Sequence, residues 1–184
     1  MTSIESRLRP VWQQWHGVIP VWAARNAGVR PEHLRRWAGA NPDVDNVGYG
    51  VYAWYPDDGD DVLSDWRLTR FATALAQAGP KARLCDTSVL EAARIGTIGG
   101  GDIRIEVPTR RRAKDGVSYA VRNVGAETRA IATVAGLPAQ PIADALRDSR
   151  SRLDDDKYEE ALSDAAGRGL ISQSQYRSLA MEGA

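Results

Sequence analysis

The side chains best suited to molecular recognition lie in the stretch AARNAGVRPEHLRRW, at positions 23–37. Guanidinium groups and an imidazole can donate hydrogen bonds to the acceptor atoms of guanine and to phosphate oxygens. The spacing predicts a helix from Pro31 to about Ala38, with Leu34 and Trp37 on its buried face. We expect the remaining polar side chains to face solvent and to contact nucleic acid. These candidates are Arg25, Arg30, Glu32, His33, Arg35 and Arg36.

A tight turn must position this helix against the one before it. Gly28 accepts the positive φ that such a turn often requires, and Ala24 is small enough for two helices to touch. Ala23, Ala27 and Val29 fill the inner positions. This is the pattern of a helix-turn-helix, whose second helix enters the major groove with its N-terminal half toward base edges. The same spacing also occurs in helical hairpins that bind no ligand, and a charged helix face is often only solvated.

The neighbouring segments complete a predicted winged helix over residues 1–56. Apolar residues from Leu8 to Trp15 recur at helical spacing, and Pro20 suits the first position of a second helix. Residues 44–55 then alternate around a glycine turn, as two short strands forming a wing do. Tyr49, at the tip, could touch phosphate or the minor groove. The wing carries no Lys or Arg and lies beside Asp43 and Asp45, which favours a protein partner instead of DNA.

The charge is zero overall but unevenly distributed. Residues 1–40 hold six Arg against two Glu, whereas residues 41–66 hold seven Asp and no basic residue. Residues 67–125 are again basic, and residues 126–184 are mildly acidic. Local basic regions of this kind can attract nucleic acid even when the net charge is zero. We expect residues 57–63 to be an acidic linker and residues 64–184 to form a second domain.

The second domain is predicted to be small and mixed α/β, so that the whole chain belongs to the α+β class. Ser64 suits the N-cap of a helix that ends before Gly79-Pro80, and Ser88 and Glu91 have the spacing of a capping box. Strict alternation over 102–107 predicts a strand, and the Asp115-Gly116 turn predicts an antiparallel partner at 117–121. A further strand is predicted at 130–134. Helices are predicted at 141–147, at 157–166 and from Ser172 onward.

A second cationic spot follows the predicted strand 102–107. It comprises Arg110, Arg111, Arg112 and Lys114. A solvated turn, phosphate contacts that extend a DNA footprint, and docking against an acidic partner all fit these residues.

Candidate catalytic residues are few. Cys85 and Ser88 stand at the start of a predicted helix, but both histidines, His16 and His33, belong to the first domain. One cysteine and two histidines leave no metal site of the usual kinds. We therefore expect no enzyme, no cofactor and no metal. A hydrolase or transferase that uses Cys85 or Ser88 is the least favoured alternative.

The composition indicates a cytoplasmic protein. No stretch of about 18 apolar residues exists that could span a membrane, and the first residues lack the apolar core of a secretion signal. The single cysteine cannot form an internal disulfide, which agrees with a reducing compartment.

Several segments together resemble one protein family. Residues 17–39 (GVIPVWAARNAGVRPEHLRRWAG) and 46–54 (NVGYGVYAW) are similar to the N-terminal winged helix of AbiEi-type antitoxins, of type IV toxin–antitoxin pairs. The segments LCDTSVLEAARIG (84–96), DIRIEVPTRRR (102–112) and GLPAQPIADALRD (136–148) are similar to later parts of that family. The resemblance covers most of the chain through loose patterns.

The resemblance implies a function as well as a fold. The winged helix would bind the double-stranded DNA of its own promoter as an autorepressor. The second domain would counteract an AbiEii-like nucleotidyltransferase toxin. A homodimer would place two recognition helices one DNA turn apart, and monomers on repeated sites fit equally. The alternative is a protein–protein interaction module that neutralises a partner without binding DNA.

Overall fold

A computed structural model of the chain describes residues 3–56, 65–113, 116–121 and 131–182. The protein is α+β, as expected, and divides into two units, Met1–Ala82 and Arg83–Ala184. The helices are α1 (Ile4–Gln14), α2 (Val21–Asn26), α3 (Pro31–Ala40), α4 (Trp66–Ala78), α5 (Thr87–Ala92), α6 (Ile142–Ser149), α7 (Asp155–Gly167) and α8 (Gln173–Met181). The strands are β1 (Val18–Pro20), β2 (Val44–Gly48), β3 (Val51–Trp54), β4 (Arg83–Leu84), β5 (Ile103–Val107), β6 (Val117–Val121), β7 (Ala132–Val134) and β8 (Leu137–Ala139).

The first unit is built on an antiparallel three-stranded sheet of order β1-β3-β2. β1 pairs Ile19 with Tyr52 of β3, and the sequence did not predict this strand. α1 packs through Leu8 and Trp12, which are buried. The Trp12 indole Nε1 donates a 2.7 Å hydrogen bond to the Trp54 carbonyl, so the polar edge of this large buried ring is satisfied.

Helix α4 belongs to the first unit and not, as expected, to the second. It buries Phe71 and Leu75 completely. The Thr69 hydroxyl donates to the His16 carbonyl at 2.9 Å, and the Gln77 amide donates to the carbonyl of Val47 at 2.8 Å. The boundary between the units therefore follows Ala82 instead of falling at 57–63. Residues 57–64, with the expected linker and the Ser64 cap, lie outside the described residues. The N-cap of α4 is Asp65, which accepts from the Arg67 amide.

The second unit contains a mixed five-stranded sheet of order β6-β5-β4-β8-β7. β5 and β6 run parallel, with Ile103 opposite Val117, so the antiparallel hairpin expected from Asp115-Gly116 is wrong. The connection 108–116 is long enough, at about 3.3 Å per residue, to return along the five-residue strand. Asp115 itself lies outside the described part of the chain.

Helix caps in the second unit differ from the prediction at α5. Ser88 does not cap α5, because the N-cap is Asp86, whose carboxylate accepts from the Thr87 amide. α7 begins after Asp154 with two further aspartates in its first turn. α8 begins after Ser172, where a helix was expected, and Ser172 and Gln175 form a capping box there. β7 occupies most of the strand expected at 130–134, of which residue 130 is not described. No helix within the described ranges has both the length and the apolarity to cross a bilayer.

Candidate nucleic-acid interface

Gly28 forms the turn between α2 and α3, as predicted. Its φ is +79°, a conformation that residues with a Cβ adopt at a cost. The Gly28 amide donates to the Arg25 carbonyl at 3.0 Å, and the Val29 amide donates to the Ala24 carbonyl at 2.9 Å. α3 then begins with Pro31 at its first position, where the absent N–H leaves no hydrogen bond unmade.

The inner face of α3 is fixed by apolar and aromatic packing. Leu34 and Ala38 are buried, as the helical spacing requires. The Trp37 ring meets the Trp54 ring edge to face, with centroids 5.2 Å apart and planes at 87°. The Trp37 indole also donates to the Glu5 carboxylate at 3.3 Å. These contacts set the rotation of α3 about its axis, and therefore which side chains point outward.

The polar side chains on the outer face of α3, together with Arg25 and Arg30, are solvent-exposed. Within the ranges that the structure describes, none of these side chains has a hydrogen-bonding or ion-pair partner. They are the six predicted candidates, Arg25, Arg30, Glu32, His33, Arg35 and Arg36.

Arg9, in the same unit, lies in a different environment. Its guanidinium stacks over the rings of Trp12 and Trp54, at 5.0 and 4.9 Å from their centroids. A stacked guanidinium of this kind contributes to folding. The arginines of the outer face make no such contact, so their charge is available to a ligand.

The β2–β3 hairpin presents Tyr49 at its tip. Tyr49 is fully exposed, and the neighbouring Gly50 has a φ of +69°. The Asn46 side chain accepts from the Gly48 amide at 3.2 Å, at the point where the strand register shifts. Asp43 and Asp45 are exposed at the other end of β2, so this hairpin carries negative charge at the end away from its aromatic tip.

The second basic spot follows β5. Arg110, Arg111 and Arg112 are exposed, and Lys114 lies outside the described residues. A solvated turn, phosphate contacts and docking against an acidic partner all fit this arrangement.

The candidate nucleophiles of the second unit are both buried. Burial, reinforced by the neighbouring Asp86 carboxylate, raises the pKa of the Cys85 thiol to about 12, so the thiolate is scarce at neutral pH. The Ser88 hydroxyl accepts a 2.8 Å hydrogen bond from the Arg104 amide and is almost inaccessible. Across the part of the chain that is described, no group of three or more potential metal-ligating side chains is clustered.

A buried carboxylate that the sequence reasoning missed organises this region. Asp86 accepts from the Ser149 hydroxyl at 3.0 Å and from the Arg152 Nε at 2.6 Å, and the Arg104 Nε lies 2.8 Å from the same carboxylate. Its φ of +58° is unusual for a residue with a side chain. The only local signal is an aspartate directly before a helix, and its partners are distant in sequence.

No protein-family model matches the chain, and no curated protein matches it. Among solved structures, the chain is similar to the RV2827C protein from Mycobacterium tuberculosis. The two are 18% identical over 97% of this chain and 81% of that chain, with a TM-score of 0.42. A likeness of this degree does not assign a family or a function.

Proposed function

We propose that the first unit is a winged helix that binds double-stranded DNA. The observation that carries this proposal is the two-faced character of α3. Leu34 and Trp37 hold one face inside, while the opposite face offers arginine and histidine side chains without internal partners. The order α1-β1-α2-α3-β2-β3, with an antiparallel sheet, is also the order of elements in a winged helix.

The chemistry of the outer face suits the major groove. A helix of ten residues fits there with its N-terminal half toward base edges. Arg30 and His33 would then lie near bases, and a guanidinium can donate two parallel hydrogen bonds to guanine. Arg35 and Arg36 would contact phosphates or bases, and Tyr49 would meet phosphate or the minor groove.

The biological role that we propose comes from the resemblance to AbiEi-type antitoxins. The protein would act in the cytoplasm, as a dimer or as monomers on repeated sites, and repress its own promoter. Its second unit would counteract a nucleotidyltransferase-like toxin. The exposed Arg110 and Arg112 would complement a toxin surface that carries metal-binding carboxylates.

A gel-shift titration at several salt concentrations tests the DNA proposal. The probe is a duplex of the sequence upstream of the gene, with a scrambled duplex for comparison. We expect the affinity to fall with salt, with a slope of about −0.9 for each phosphate neutralised. The double variant Arg35→Ala/Arg36→Ala should lose binding and keep its thermal melting. Arg177→Ala, which removes an exposed charge from α8, is the matched control. Unchanged binding by the double variant would show that α3 is not the recognition helix.

A second candidate is a module that binds only a protein partner. The exposed Asp43 and Asp45 beside the wing favour it, because carboxylates repel phosphate. Co-expression with the product of the adjacent reading frame distinguishes the two. A stable complex, together with no shift of the upstream duplex at low salt, would support this candidate over the repressor.

A further inference from the structure

The second unit contains a pocket of about 300 Å³, beside the buried Asp86. Its volume is at the lower end of the range for small-molecule sites. One part of the pocket is lined by the cationic side chains of Arg104, Arg152 and Lys157. Another part is lined by Gly99 and Gly101. We propose that this pocket binds the phosphate group of a small sugar phosphate, either free or as part of a mononucleotide.

Asp86 orients two guanidinium groups toward the pocket. Its Oδ2 atom lies 2.6 Å from the Arg152 Nε and 2.8 Å from the Arg104 Nε. The Arg104 Nη1 donates further to the Ser118 hydroxyl at 3.3 Å. In the part of the chain that is described, the terminal nitrogens of Arg152 have no protein partner, and this side chain is 47% exposed. A guanidinium that is anchored through Nε and has both terminal nitrogens unused suits bidentate binding of a phosphate.

The backbone of Asp86 is held in a strained conformation. Its φ of +58° and ψ of −141° lie in a region that glycine adopts without strain. The Gln140 side chain accepts from the Asp86 amide at 3.1 Å, and the Ser149 hydroxyl donates to the carboxylate. Glycine here would relieve the strain but leave both guanidinium groups without their counter-ion. The strained backbone therefore holds the carboxylate where it aligns Arg104 and Arg152.

The glycine segment 99–101 leaves space beside its backbone. Gly100 has a φ of +82°, and a Cβ added there would meet no atom within 4 Å. Backbone without side chains allows an anion to approach closely. The segment lacks the lysine of a nucleoside-triphosphate loop, but Lys157 supplies a cation from α7.

The carboxylates at the pocket define which phosphate compound it suits. Glu91 and Asp102 also line it, and carboxylates accept hydrogen bonds from sugar hydroxyl groups. The same negative charges repel a second or third phosphate. The pocket should therefore favour a monophosphate of a hydroxylated molecule over a diphosphate or triphosphate.

Isothermal titration calorimetry of the full chain tests this proposal with defined probes. The probes are inorganic phosphate, ribose, ribose 5-phosphate, and adenosine mono- and triphosphate. We expect saturable binding of ribose 5-phosphate in the millimolar range or tighter, weaker binding of inorganic phosphate, and none of ribose. If adenosine monophosphate binds more tightly than ribose 5-phosphate, the ligand is a mononucleotide. If it binds equally or more weakly, the ligand is the free sugar phosphate.

Variants locate the site and control for folding. Arg152→Gln should weaken ribose 5-phosphate binding by about tenfold, since it removes a charge-assisted bidentate contact. Lys157→Gln should weaken ribose 5-phosphate binding by about threefold. Lys157 contacts Asp154 and not Asp86, so this variant still tests the site if Arg152→Gln fails to fold. Arg177→Gln removes an exposed charge elsewhere in the same unit and should change nothing.

Three results would overturn the proposal. The first is that no phosphorylated probe shows saturable binding. The second is that Lys157→Gln and a folded Arg152→Gln both bind ribose 5-phosphate with the same affinity as Arg177→Gln. The third is that a short DNA duplex binds, that this binding requires Arg152, and that ribose 5-phosphate does not bind. That result would make the pocket part of a nucleic-acid surface. These outcomes are independent of the gel shift, which tests α3 in the other unit.

Discussion

At the scale of single residues, two glycines near the candidate interface have opposite conformational requirements. Gly28 has a φ of +79°, whereas Gly39 lies within α3, and a Cβ at either position would meet no atom within 4 Å. Gly28→Ala should therefore destabilise the protein by about 1–2 kcal/mol through backbone strain alone. Gly39→Ala should stabilise it by up to about 1 kcal/mol, because alanine favours helix. Urea denaturation of both variants measures the two effects. Equal effects of the same sign would contradict the assigned turn.

Cys85 allows a test of burial through its titration. Burial raises the pKa of this thiol to about 12, so the protonated form persists until the pH approaches that value. A group whose folded pKa is raised binds its proton more tightly in the folded state, so raising the pH above the ordinary thiol pKa lowers stability. We expect negligible alkylation by iodoacetamide between pH 7 and 9 in buffer, and rapid alkylation in urea. Fast, pH-dependent alkylation of the folded protein would instead reveal an accessible, reactive thiol.

At the scale of elements, local signals were sufficient for some of the helices and strands. The apolar spacing of α3 and the capping residues of α8 lie within one or two turns of chain, and β5 alternates along its own length. β1, β4 and β8 have only two or three residues each, too few for a periodic pattern. Their existence depends on partners distant in sequence, as when Leu84 pairs with Ala139. The direction of β6 was mispredicted because a turn signal does not specify how far the connecting segment runs.

The two candidate sites differ in the same way, because one lies on a single helix and the other joins residues that are distant in sequence. The outward arginines of α3 follow from helical periodicity, and the structure places each of them at the surface. The network around Asp86 joins residues 86, 104, 149 and 152, which come from different elements. No spacing rule connects them, and the nearest sequence signal suggested a cap at Ser88 instead. Sequence periodicity can therefore indicate a candidate site on one helix, whereas a candidate site assembled by tertiary packing requires the fold.

At the scale of the whole molecule, the position of the unit boundary determines which fragment can fold. The acidic composition of residues 57–63 suggested a boundary there, but α4 supplies the fully buried Phe71 and Leu75 to the first unit. Thr69 and Gln77 of α4 also donate hydrogen bonds to backbone carbonyls of that unit. The elements before and after residues 57–63 therefore belong to one core.

We therefore expect fragment 1–82 to unfold cooperatively and fragment 1–63 to lack a cooperative transition. Loss of α4 removes two large buried side chains and exposes the surface that they cover, at a cost of about 1.5–3 kcal/mol for each side chain. A loss of this size is a large share of the stability of a small domain. Circular dichroism melts of the two fragments measure it, and the variant Phe71→Ala in fragment 1–82 should fall between them. If fragment 1–63 has the same melting temperature as fragment 1–82, the boundary between the units lies before α4. If the upstream duplex binds fragment 1–82 and not its Arg35→Ala/Arg36→Ala variant, DNA recognition resides wholly in the first unit.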